Sequence, residues 1–206
     1  MKIIKLEDMA VNGEQIVAVN CRKISVYYWG VIVCMQNGER HVVAQYDDDE
    51  QAAQKRKDEF VATLSEMGFE FVQVDNCKSV RADLISSVSC EFTYEGIYSV
   101  EIGMQNGKTA GHKNFKTREL AKKYKDEWVA KLEYMGFEFV AVDAYKSVRV
   151  DCISAVYVEN NRGKYSAIIS MNNGDKTGYK NLDGYNAAKE HVAAFVQRLE
   201  DKNEAN

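Results

Sequence analysis

Three stretches of the chain alternate apolar and polar residues in steps of two, and each runs into an Asn-Gly pair. The apolar members are Trp29, Val31, Val33 and Met35, then Tyr98, Val100, Ile102 and Met104, then Tyr165, Ala167, Ile169 and Met171. The pairs are Asn37-Gly38, Asn106-Gly107 and Asn173-Gly174. Period-two alternation into Asn-Gly predicts a hairpin with a type I′ turn, in which both central residues take positive φ. The return strands are expected to end at Tyr46, Phe115 and Leu182. Upstream, residues 16–23, 85–92 and 153–159 read as another strand in each stretch. It is joined to the alternating strand by a tip, and the tips differ most: RKISVYY, EFTYEGI and ENNRGK.

After each hairpin the apolar period changes to that of a helix. Ala53, Phe60 and Leu64 are matched by Ala121, Trp128 and Leu132, and by Ala188, Phe195 and Leu199. Spacings of 7 and 4 put each set on one helical face, which needs a sheet to cover. Asp47–Asp49, Thr117 and Asp183 stand where the three helices need an N-cap, and Gly68 and Gly136 where the first two need a C′ glycine.

A longer repetition underlies these patterns. FVQVDNCKSVRADLISSV at 71–88 returns as FVAVDAYKSVRVDCISAV at 139–156. A worn copy survives near the start, where Val11, Glu14, Ile16 and Val19 hold the places of Val80, Asp83, Ile85 and Val88. The expected fold is therefore α+β: three tandem repeats, each an antiparallel β-sheet of four to five strands followed by one α-helix. The expected bounds are 1–68, 69–136 and 137–206. Units this small bury little surface alone, so they are expected to pack on one another.

Composition changes this picture little. Apolar residues at 46% and charged ones at 28% are ordinary for a soluble domain. The net charge of −4 is gathered in residues 1–70, which hold 8 lysines and arginines against 12 carboxylates, so no basic domain points to nucleic acid. The five cysteines form no CxxC, and Cys21 and Cys90 share a place that Val158 fills in the third segment. A site that accepts valine is a small apolar position, which reads as reduced thiols and a cytoplasmic setting. MKIIKLEDM has no apolar signal core and no run reaches membrane-spanning length, so no membrane partner is expected. Proline is absent, for which we have no physical account.

Candidate chemistry is sparse. Gly103–Thr109 resembles a phosphate-cradling loop but is one residue short, and the hairpin turn already explains it. The acidic run at 47–50 lacks the alternation and glycine of a calcium loop and suits a helix start. His41, His112 and His191 occupy unrelated places without ligand spacing. Neither an enzyme nor a cofactor or metal site is expected. Asp83 and Asp151, between Val or Ala and Ile at strand bends, read as turn residues.

Two binding readings remain. Tyr27, Tyr28, Phe92 and Tyr94 lie at the divergent tips, where the common fold does not require aromatic rings, and so read as anchors for another protein. Alternatively Lys78, Arg81, Lys146 and Arg149, with His112-Lys113 and Tyr179-Lys180 and beside Tyr94, Tyr98 and Tyr165, supply cations and stacking faces for single-stranded nucleic acid on the second and third sheets. Against this, Lys78 and Arg81 have Asp75 and Asp83 at hand as partners.

The pattern V-x-x-x-x-I-x-x-V, an apolar strand, Asn-Gly, and an A-x6-[FW]-V-x2-L helix resembles short proteins encoded by phages and mobile elements. That resemblance implies a non-enzymatic protein-binding module of the kind that inhibits host defence, an anti-CRISPR being one example. The strands-then-helix order also looks like the single-stranded-DNA-binding transcriptional cofactor and Whirly folds, which implies the nucleic-acid alternative.

Overall fold

The computed structural model describes residues 2–204 apart from Glu7, Asp8, Tyr94 and Glu95. Among these residues antiparallel strands and three α-helices form an α+β architecture in two units, Met1–Leu84 and Ile85–Asn206. The first unit opens with a hairpin of β1 (Ile3–Lys5) and β2 (Ala10–Asn12). There follow β3 (Ile16–Lys23), β4 (Tyr28–Met35), β5 (Arg40–Asp47), α1 (Glu50–Glu66), β6 (Phe71–Asp75) and β7 (Lys78–Arg81). These strands form a five-stranded sheet in the order β5-β4-β3-β7-β6.

The second unit contains β8 (Ile85–Phe92), β9 (Tyr98–Met104), β10 (Thr109–Phe115), α2 (Arg118–Tyr134), β11 (Phe139–Ala141) and β12 (Lys146–Arg149). Their sheet has the matching order β10-β9-β8-β12-β11. It continues through β13 (Ile153–Asn161), β14 (Lys164–Met171), β15 (Lys176–Leu182) and α3 (Tyr185–Glu204), whose strands make a three-stranded sheet.

Two features depart from expectation. The third sheet has three strands rather than four or five, and the first two helices lie between the third and fourth strands of their sheets. The Lys-Ser-Val-Arg strands, expected to open the next segment, complete the preceding sheet: Val19 pairs with Ser79, and Val88 with Ser147. Local pattern predicts a strand but not its partner. The inner edges of β3 and β8 would otherwise leave a row of amides unpaired.

Side-chain packing runs differently from strand pairing. Val140, Val142 and Val148, from the β11–β12 hairpin and its turn, share a core with Ile169, Met171 and Phe195. That hairpin is thus hydrogen-bonded to β8 while it packs with the α3 side of the molecule. In the first unit Ile4 and Val11 of the β1–β2 hairpin lie in one core with Phe60 and Leu64 of α1.

The helical stripes face inward as the spacing predicts: Ala53, Phe60, Leu64, Ala121, Trp128, Leu132, Ala188 and Phe195 are buried. Lys57 and Lys125 are buried in the same stripes, at the place held by Val192 in α3. Lys125 Nζ donates to Ser147 Oγ at 3.3 Å and lies 3.0 Å from Asp126. Lys57 Nζ lies 2.8 Å from Asp58, close enough for an ion pair although not aligned as a hydrogen bond.

Asp49 and Thr117 cap α1 and α2, accepting from Ala52 N at 2.9 Å and Leu120 N at 3.3 Å. The cap of α3 falls on Gly184 rather than Asp183, because the helix starts at Tyr185 and Ala188 N donates to Gly184 O. Gly68 and Gly136 close their helices at positive φ, with Phe69 N donating to Leu64 O and Phe137 N to Leu132 O.

The Asn-Gly turns are not type I′. Only the glycines are at positive φ, Gly38 N donates to Met35 O, and Met35 N donates to Glu39 O. This is the three-residue loop with a glycine bulge, and the other two turns repeat it. The asparagine serves through its side chain: Asn37, Asn106 and Asn173 accept from the amides of Glu39, Lys108 and Asp175. A two-residue loop with both residues at positive φ does occur, at Arg162-Gly163 between β13 and β14.

Candidate functional site: tips, clamps and a cationic cavity

The β3–β4 tip presents aromatic and aliphatic side chains on an ordered turn. Ile24 N and Ser25 N both donate to Tyr28 O, and Asp48 N donates to Tyr27 O, so the backbone of the tip is tied down at both ends. Ile24 packs across Gly30, where an added Cβ would stand 3.0 Å from two of its carbons. With Ile24 turned inward, Val26 and Tyr27 are left 74% and 73% exposed, and Tyr28 is also exposed. Trp29, one residue on, packs on the core of the first unit.

The β8–β9 tip is closed by Thr93 N donating to Ile97 O at 2.8 Å. Phe92 is 65% exposed and leans on Tyr98, with ring centroids 5.1 Å apart. Tyr94 lies outside the described residues. The third tip is the tight Arg162-Gly163 turn and carries no large apolar side chain.

The four basic residues separate into two kinds. Arg81 is 7% exposed and Arg149 5% exposed. Arg81 grips Asp83 with both prongs, Nε to Oδ1 at 2.7 Å and Nη2 to Oδ2 at 2.8 Å. Its Nη1 donates to Glu14 O at 2.7 Å, and less closely to Ile16 O and Gly13 O. Arg149 repeats the fork on Asp151. The two arginines and the two aspartates are therefore clamps at the strand bends and not parts of a cationic strip, because a buried guanidinium forked on a carboxylate, and in Arg81 also spent on backbone carbonyls, has few donors left for phosphate. The pairing of Arg81 with Asp83 was legible in the sequence; its burial was not.

Lys78 is half-buried, and that burial pushes its ammonium below the usual lysine range. Lys146 is also half-buried, but it lines a cavity of about 420 Å³ in the second unit, together with Phe92 and Tyr98. Lys180, grouped with Lys146 in the basic-strip reading, lines it too, and Arg118 and Tyr145 complete the part of the lining that sequence spacing does not bring together. Arg118 opens α2 and lies flat on Tyr145, its Cζ 3.7 Å from the ring centroid. Asp143 Oδ1 accepts from Tyr145 N at 2.7 Å and Lys146 N at 2.9 Å, which fixes the turn that carries both side chains.

The thiols are all free. Cys21 is buried with its amide donating to Cys77 O, and burial, reinforced by the Cys77 side chain, pushes its thiol up to about 12. Burial likewise raises Cys90 and Cys152. A thiol so held is a poor nucleophile, since the thiolate is the reactive form.

Tyr179 stacks on His191 with centroids 4.2 Å apart, and His41 lies 3.6 Å from Glu39. Among the described residues no three metal-ligating side chains converge, and no helix is long and apolar enough to cross a membrane. Compared with known proteins, the chain matches no family model, no curated protein and no solved structure.

Proposed function

We propose that the chain is a non-enzymatic protein-binding module, made of three tandem copies of one α+β unit, that recognises another protein through the β3–β4 tip. The exposure of Val26 and Tyr27 side by side, on a turn closed by hydrogen bonds, carries this reading. Apolar rings left in water on a rigid support bury a large area on association at small entropic cost. The fitting partner is a protein surface with an apolar pocket. Inhibition of a host-defence protein is the role that the phage-like sequence pattern adds to this geometry.

The test is capture from the native host with and without nuclease, comparing the wild type with Tyr27→Ser/Tyr28→Ser. Surface substitutions of this kind move stability by about 0.5 kcal/mol or less, a shift of roughly 2 °C in Tm. The expected result is an unchanged melt, loss of the captured protein, and indifference to nuclease. Capture that survives the double substitution refutes the tip as the recognition surface, and capture abolished by nuclease refutes the protein partner.

A further inference from the structure

The cavity lies within the second unit and has its own chemistry. Four cations line it, Arg118, Lys146, Lys176 and Lys180, against two carboxylates, Glu91 and Asp143. One carboxylate is already occupied, since Asp143 accepts two amides of its own turn. Lys176 is also occupied, 2.9 Å from Glu159 and over the ring of Tyr157. Among the described residues no carboxylate pairs with Arg118, Lys146 or Lys180. A chain of net charge −4 thus gathers four cations against two carboxylates around one concavity, and three of the cations make no ion pair among the described residues.

Three aromatic residues share the rest of the lining with Cys90, Thr177 and Gly178. Phe92 and Tyr98 form one tilted pair and Tyr145 lies elsewhere in the wall, backed by the Arg118 guanidinium. The volume falls in the range of about 300–1,000 Å³ that small-molecule sites occupy. An inorganic anion would use the cations and leave three rings idle. A planar group with an attached phosphate uses both, the ring stacked on an aromatic face and the phosphate on the guanidinium and ammonium groups.

We propose that this cavity binds a nucleoside phosphate, with Phe92, Tyr98 and Tyr145 flanking the base and Arg118, Lys146 and Lys180 meeting the phosphate. The nucleotide is either free or one residue of a single strand, and the two sources share the chemistry of the site. The proposal is independent of protein recognition at the β3–β4 tip.

Calorimetric titration of the full chain with AMP, GMP, CMP and UMP, with inorganic phosphate, and with a short oligothymidylate tests it. At least one nucleotide or the oligonucleotide is expected to saturate, and inorganic phosphate to bind at least about tenfold more weakly. Free nucleotide as the better ligand identifies a small-molecule site, and a tighter oligonucleotide identifies a strand. Arg118→Ala should weaken binding by about tenfold or more, since it removes a charge-assisted contact. Lys180→Ala should weaken it more modestly, and because Lys180 is exposed on its strand the fold is not at risk. No saturation by any nucleotide or oligonucleotide up to about 5 mM overturns the proposal. So does binding that both variants leave unchanged, or a phosphotyrosine peptide that binds tenfold more tightly than any nucleotide.

Discussion

Replacing Arg81 by alanine tests whether the Lys-Ser-Val-Arg strands are architecture or recognition. The guanidinium makes a bidentate contact with Asp83 and one close hydrogen bond to Glu14 O, with longer contacts to Ile16 O and Gly13 O. The bond to Glu14 O, charge-assisted and out of water, is worth about 1.5–3 kcal/mol. The Asp83 side chain is 45% exposed, so water recovers much of its solvation and the fork adds at most about 1 kcal/mol. Loss of the guanidinium's contact with the Phe69 ring, its Cζ 5.3 Å from the centroid, and of the buried stem adds the remainder. The expected cost is about 2–4 kcal/mol, the sum of the carbonyl bond, the part-exposed fork and the lost packing. Each unit has one tryptophan, Trp29 in the first and Trp128 in the second. Urea unfolding followed by fluorescence in a Trp128→Phe background therefore reports the unit that contains Arg81. An effect below about 1 kcal/mol, the most a surface arginine paired in water contributes, would refute the clamp.

Two further predictions rest on the same structure. Trp128→Ala should cost about 3–5 kcal/mol in the second unit, as for other buried large aromatics, and a cost under about 1 kcal/mol in a denaturant melt would mean that the α2 stripe does not face the sheet. The folded chain should hold the Cys21 proton up to about pH 12, while the unfolded chain releases it near the ordinary value of 9.0, so stability should be full below pH 9 and fall as pH rises above it. Cys21→Val should flatten that decline in urea midpoints measured across the range, and an equal slope in both proteins would show that the Cys21 thiol titrates normally.

How much was legible followed from the range of the interaction concerned. Strands, helices and the inward stripes were legible because alternation and 7-and-4 spacing act within a few residues, and Gly68 and Gly136 announced their C-caps in the same local way. The partner of β7 was not legible, since Ser79 meets Val19 across 60 residues of chain. Asn-Gly named the turn but not its type, because asparagine here works through its side-chain oxygen at negative φ. Lys57 and Lys125 were hidden by charge: their stems pack along the sheet, and only their helical phase, four residues after Ala53 and Ala121, marks them as inward. The exposed tyrosines of the first tip were anticipated from divergence among the segments. Arg118 and Tyr145 were not, since the cavity is assembled from a helix start, a strand turn and β15, none of which carries a motif.

The residues that resembled a recognition motif are the ones the fold consumes. Lys-Ser-Val-Arg recurs because its strand completes the preceding sheet while its arginine fastens the bend where the inner strand begins, and both tasks fix residue type. The β11–β12 hairpin carries a third constraint, because its valines also pack in the core with Phe195. A segment bound in three ways has little freedom left to vary, and of its Lys146–Arg149 strand only Lys146 reaches the cavity. Freedom remains where the chain leaves the sheet, and there the segments differ: Val26, Tyr27 and Tyr28 on one tip, Phe92 at the next, a bare Arg-Gly turn at the third. The cavity obeys the same rule, since its Tyr145 replaces the cysteine found at the equivalent turn as Cys77, and its Arg118 has no counterpart at Glu50. Function is to be sought at the positions where the sequence pattern of one segment does not return in the next.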